Sequence, residues 1–176
     1  IVDSIIDIPI LLPHTVAGIA LLTLFGESGP IGAILSSYGI HFIDTIFGII
    51  VAQMFVSAPF YIKTVRESFQ EIDPRYHYVA RTLGAKPSKA FLYIELPMAT
   101  HSIITGCILS WARAISEFGA VIILAYYPTT APVLIYKRFI LFGLSAVIPI
   151  TSVLIVITLI IFAIVKYIQL KGTKEE

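Results

Sequence analysis

The sequence predicts an all-α membrane protein, a bundle of transmembrane helices, on three observations. Hydrophobic residues make up 57% of the chain and charged residues 13%, with a mean hydropathy of +0.92. A soluble domain sits nearer half apolar and a quarter charged. The apolar residues fall in four long blocks, each near the roughly 20 residues that a membrane-crossing helix needs. Lysine and arginine gather between the second and third blocks and in the tail.

The first block covers about residues 5–25 and holds Asp7, Pro9, Pro13, His14 and Gly18, so a kinked or irregular helix is expected. The second, about 42–62, and the fourth, about 144–168, are clean spans. The third, about 98–120, contains Arg113 and Glu117 and continues to about Tyr126. It is expected to cross once and then turn along the outer surface. Its Cys107 lies in an apolar stretch with no second cysteine, which reads as a buried structural thiol. The chain starts at Ile1 and shows no charged n-region with a cleavage site. A fragment, or loss of upstream residues, is expected rather than a signal peptide.

Charge orients the spans. Lys63, Arg66, Arg75, Arg81, Lys86 and Lys89 lie between blocks two and three, and the tail carries Lys166, Lys171 and Lys174. No Lys or Arg separates blocks one and two, and only Lys137 and Arg138 separate three and four. Cytoplasmic loops are those enriched in Lys and Arg. The 63–97 loop and the C-terminus are therefore expected in the cytoplasm, with 26–41 and 127–143 outside. In the outer segments, Gly26–Pro30 and Tyr126–Pro132 are turn-rich. Residues 133–142 suit a short interfacial helix, either a plain connection or a contact for an outside partner.

Within the cytoplasmic loop, Asp73-Pro74 predicts a helix start, with Asp as the cap and Pro at the first helical position. Arg75 to Leu83 then makes about two turns, and Gly84 is placed to end them in a left-handed conformation. Ala80 is small enough for close approach. Ala85–Ser88 predicts a turn and a second helix start, with Ser88 a weaker cap, and Pro97 marks entry to the third span. A short stopped helix of this kind is a rigid peg that can transmit force to the spans on either side.

Catalytic and metal chemistry find no pattern. Gly84–Lys89 lacks the second Gly and the Lys-Ser/Thr pair of a phosphate loop. His14, His41, His77 and His101 are far apart in sequence and read as solitary surface or span-end residues, with no metal site among them. No Ser-His-Asp or paired-carboxylate arrangement is convincing, so no enzyme activity is expected. A net charge of +1 predicts no nucleic-acid partner. The remaining singular feature is Arg113 with Glu117, four apart and on one face of a helix. Ionisable residues inside a span usually face the bundle interior or a water-filled path. A helix begun near Met98 places Arg113 about 22 Å along it, in the outer half. The pair is either a structural lock between helices or, with Ser116, part of a translocation path or gate.

Tyr78-Val-Ala-Arg-Thr-Leu-Gly84, followed after nine residues by Ile94-Glu-Leu-Pro97, resembles the cytoplasmic loop motif of permease subunits in binding-protein-dependent ABC importers. The match holds at Ala80, Gly84, Ile94, Leu96 and Pro97, and departs at Tyr78 and Val79, where the motif has Glu and Ala. Leu12–Ala20, Trp111–Ala120 and Ala125-Tyr-Tyr-Pro128 look like the molybdate/tungstate branch, with sulfate permeases close to it. The resemblance runs over essentially the whole chain. It implies the type I importer permease fold, with these four spans the last four of six. It implies a homodimer in the plasma or inner membrane, two cytoplasmic ATPase subunits that bind ATP and Mg, and an external substrate-binding protein. Coupling to the ATPase would fall on Asp73, Arg75, Ala80, Arg81, Gly84, Ile94, Leu96 and Pro97, and transport would proceed by alternating access. A reading from a different class is a secondary transporter or channel driven by an ion gradient, with Arg113 and Glu117 as its ion site. A third, a membrane scaffold, leaves the motif spacing unexplained.

Overall fold

A computed structural model describes residues 2–172, with side chains described over residues 4–164. Lys174, and the side chains of Lys166 and Lys171, lie outside the described residues. The all-α expectation holds: α-helices and one π-helical turn carry the described chain, and no strand occurs among these residues. The helices are α1 (Val2–Leu11), α2 (His14–Phe25), α3 (Gly32–Ser36), α4 (Ile46–Glu71), α5 (Pro74–Thr82), α6 (Pro87–Ala90), α7 (Leu96–Ile115), α8 (Gly119–Leu124), α9 (Ala131–Phe142) and α10 (Leu144–Gly172), with the π-turn Phe91–Glu95 joining α6 to α7. Among them, Ile46–Glu71, Pro87–Ile115 and Leu144–Ile164 are long and apolar enough to cross a membrane. A fourth crossing requires the bent pair α1 and α2 to act as one broken span.

Several sequence boundaries move, for identifiable reasons. The block at 5–25 is two helices bent by 117° at Leu12-Pro13. Pro13 is extended (φ −55°, ψ 134°) and caps α2, and a residue before proline is pushed out of the helical region. Helix α4 runs on past the apolar stretch to Glu71. The end of an apolar stretch does not stop a helix, and Lys63 to Glu71 carries good helix formers up to the break before Pro74. The third block begins its helix at Pro87 and ends it at Ile115, short of residue 120. Much of the expected 63–97 loop is therefore helix.

The chain divides into two compact units, one of Ile1–Ser57 with Arg113–Glu176 and one of Ala58–Ala112. In the first, α2 packs on α8. Leu21, Ala52, Val56, Ala120, Val121, Leu124 and Val133 form the core, with Leu22, Phe25, Phe55 and Phe118 packed against it. Gly119, Ala120, Val121 and Leu124 of α8 are among the most buried residues. The approach is close because the facing residues are small: Ala17 and Ala120 are fully buried, and a Cβ on Gly18 would stand 2.9 Å from the Ala120 Cα. That atom is backbone and has nowhere to retreat. Gly18→Val is therefore expected to push α2 off α8 at a cost of about 1–3 kcal/mol. Lower thermal stability in detergent would register it, and an unchanged melting temperature would count against this packing. Helix α9 packs on α10, and its Tyr136 ring lies 5.0 Å from the ring of Phe118, the N-cap of α8.

Large apolar side chains stay exposed along α10, from Leu144 through Val153, Ile157 and Phe162. A soluble monomer rarely exposes a patch of this extent, and lipid or a partner is the environment that suits it. Cys107, expected buried, is exposed on α7. The α7 residues that are buried are the small ones, Ala99 and Gly106.

Candidate functional site

Two clusters carry the polar chemistry, one in each unit. In Ala58–Ala112 the centre is α5. The Asp73 carboxylate accepts a hydrogen bond from the Arg75 backbone N–H at 2.8 Å, and Pro74 occupies the first helical position. The helix then stops in a defined way. The Gly84 N–H donates to the Arg81 carbonyl, and the Ala85 N–H to the Ala80 carbonyl, each at 3.0 Å. With Leu83 as the C-cap, these two bonds form a Schellman motif, in which the residue after the cap takes a left-handed conformation. Gly84 supplies it, at φ +86°. The Ala-to-Gly spacing of four is therefore the geometry of the stop. Ala80 is also buried, against 5% exposure.

The outer side of α5 is apolar and bare. Tyr76, Val79 and Leu83, at helical spacing, are 52%, 56% and 83% exposed. With Asp73, Arg75, Ala80 and Ile94 they line an open cleft of about 450 Å³. Arg75 and Arg81 are exposed to solvent. On the other flank, His77 Nδ1 lies 2.6 Å from Glu95 Oε1, and the Phe69 and Phe91 rings stack 5.7 Å apart. Beyond Gly84, Lys86 caps α6 without a side-chain bond and Pro87 takes the first position, so Ser88 is not the cap. Pro97, expected at the entry to the third span, lies inside a continuous helix. Proline has no N–H and its ring crowds the carbonyl four residues back. The π-turn immediately before it, closed by the Leu96 N–H on the Phe91 carbonyl, widens the backbone there. Ile94 and Leu96 are half-buried and Pro97 is exposed.

In the other unit, Arg113 and Glu117 meet as expected, with Nη2 2.9 Å from Oε2, but not as two residues of one helix. Helix α7 ends at Ile115, and Glu117 stands in the break before α8. Its second oxygen accepts the Ala120 N–H at 2.8 Å, so a carboxylate 1% exposed has both oxygens engaged. Ser116 Oγ donates to the Arg113 carbonyl at 3.0 Å and accepts from Nη1 at 3.3 Å. His14, read from sequence as solitary, is part of the cluster, with its Nε2 2.7 Å from Arg113 Nη2. Guanidinium nitrogens only donate, so this imidazole nitrogen accepts. The signal available in the sequence was Pro13-His14 interrupting an apolar block. The cluster thus joins two helix breaks, Leu12-Pro13 and Ser116–Phe118, beside an open cleft of about 550 Å³ that Thr15 and Gly119 also line. Its charges cancel locally. His77 likewise was not solitary, and its bond to Glu95 had no sequence signal across eighteen positions.

Residues 1–171 match the family described as binding-protein-dependent transport system inner membrane component. The molybdate/tungstate transport system permease protein WtpB of Pyrococcus furiosus is 43% identical over 171 residues, 97% of this chain and 64% of the relative. The protein of the same name from Thermococcus kodakarensis is 47% identical over 167 residues, 95% of this chain and 62% of the relative. A probable sulfate transport system permease protein, cysT of Chlorokybus atmophyticus, is 36% identical over 173 residues, 96% of this chain and 60% of the relative. The chain spans less than two thirds of the length of each of these relatives.

Proposed function

We propose that this chain, which belongs to the family of binding-protein-dependent transport system inner membrane components, works within the permease subunit of an ATP-driven importer of molybdate or tungstate. The observation that carries the coupling role is α5. It is a short helix with a fixed start and a fixed stop, and it presents Tyr76, Val79 and Leu83 outward between two membrane-length helices. Exposed apolar side chains on a rigid element are what a docking partner buries. The basic residues of 63–97 favour the cytoplasmic side for it, where an ATPase subunit holding ATP and Mg would sit. Two ATPase copies, a second copy of the permease and an external binding protein complete the assembly. ATP binding would draw the two α5 pegs together and open the helices outward, and hydrolysis would reset them.

The oxyanion assignment rests on the names of the relatives and on the cluster at Arg113. A guanidinium balanced by Glu117 leaves a cleft without net positive charge, which lets a dianion pass rather than trapping it. Selection among molybdate, tungstate and sulfate then belongs to the external binding protein. A Glu117 with both oxygens engaged weighs against the gradient-driven alternative, which needs a carboxylate free to take a cation.

Leu83→Asp tests the docking role. Leu83 is 83% exposed, so the exchange should change stability by no more than about 0.5 kcal/mol. Burying a leucine at an interface is worth about 1.5–3 kcal/mol. In the full-length, detergent-solubilised permease, co-purification of the ATPase subunit is expected to fall at least tenfold at an unchanged melting temperature. Equal recovery of the ATPase with the variant would remove α5 as its contact.

A further inference from the structure

We infer that His77 and Glu95 form the tie by which movement of α5 reaches the long helix that follows it, so both are positioning residues for coupling. The inference rests on the reading of α5 as an ATPase-docking peg. Helix α5 takes a fixed direction from the cap at Asp73 and the stop at Gly84, and it packs on α6 and on the π-turn Phe91–Glu95. A force on the exposed face has to cross this packing to reach the long helix that follows. His77, in the middle of α5 and on its half-buried flank, makes the polar link across it. Its Nδ1–H donates to Glu95 Oε1 at 2.6 Å, with the two side chains 31% and 22% exposed. Phe69, Ile72, Asp73, Pro74 and Tyr78 line the same pocket.

The position of Glu95 gives the tie leverage. It closes the π-turn Phe91–Glu95, two residues before Pro97, inside the continuous helix Pro87–Ile115. Helices bend most readily where the regular ladder is interrupted by a π-turn or proline. Displacement of α5 would therefore be applied at the softest joint of the helix it has to move. A charge-assisted bond of this length is among the stronger side-chain links available.

The test uses the full-length permease with its ATPase and binding protein in proteoliposomes, reading uptake and ATP hydrolysis together. His77→Ala is expected to keep the ATPase bound and its hydrolysis within twofold, while uptake per ATP falls at least tenfold. His77→Gln, whose amide can still donate to the carboxylate, should regain most of the loss, as should the exchanged pair His77→Glu with Glu95→His. If His77→Ala folds poorly, Glu95→Ala replaces it in the same comparison. Wild-type uptake per ATP in the alanine variants, or a loss that neither His77→Gln nor the exchanged pair recovers, would overturn the tie. Absence of any ATPase from the wild-type complex would instead overturn the docking reading itself.

Discussion

Replacing Gly84 with valine is expected to cut substrate uptake at least tenfold while the membrane helices stay folded. The reason is backbone geometry alone. Gly84 sits at φ +86°, and a Cβ there would meet no atom within 4 Å. No steric clash with the rest of the protein enters. An L-residue held in the left-handed region costs about 1–2 kcal/mol, and a β-branched one is a clear outlier there. Valine would relieve this by leaving the conformation, which releases the bonds from Gly84 to Arg81 and from Ala85 to Ala80. The stop would become a loose end and α5 would no longer hold a fixed direction. Asparagine tolerates the left-handed conformation at this position, so Gly84→Asn should retain most uptake, with Gly84→Ala between the two. Uptake and ATP hydrolysis measured together in proteoliposomes separate uncoupling from misfolding. Full uptake by Gly84→Val would mean that the stop is dispensable, and the coupling assignment would fall with it.

What could be read from the sequence divides by the range of the interaction. The α5 start and stop were legible because both are local: Asp73, Pro74 and Gly84 act on backbone groups within five residues of themselves. The interruption at Pro13 was legible for the same reason. Helix ends without a local stop were misplaced. Apolar content changes at residue 62, but nothing stops the helix before Glu71. The start of the third long helix was hidden by Pro97, which reads as a boundary until the π-turn that accommodates it is seen. Side-chain partnerships across long separations were not legible. Arg113 with Glu117 was found because the two are four apart, whereas His14, 99 positions from Arg113, and Glu95, 18 from His77, required the fold. Cys107 shows a further limit. Apolar neighbours in sequence do not bury a residue when its helix face points to lipid or to another subunit.

The Arg113–Glu117 pair offers the larger energetic test, because one partner is almost wholly buried. Removing Arg113 leaves a carboxylate 1% exposed without its counter-charge, and breaking a buried pair in this way costs about 3–5 kcal/mol. Arg113→Ala is therefore expected to lower thermal stability in detergent sharply. Glu117→Gln is the better partner in a double-mutant cycle than Glu117→Ala. Its amide oxygen can still accept the Ala120 N–H, whereas alanine would abandon that bond as well. With both charges gone, Arg113→Ala with Glu117→Gln should recover most of the lost stability, since no buried charge is left unpaired. A single Arg113→Ala within about 1 kcal/mol of wild type would show that the pair contributes little to folding. Uptake separates the two roles the sequence left open. A lock between the helix breaks is a matter of stability, so uptake should return together with the melting temperature. A gate needs the charges themselves. The cleft of about 550 Å³ beside the pair, with His14 on the same guanidinium, favours the gate. The double variant is accordingly expected to regain stability while uptake stays at least tenfold down.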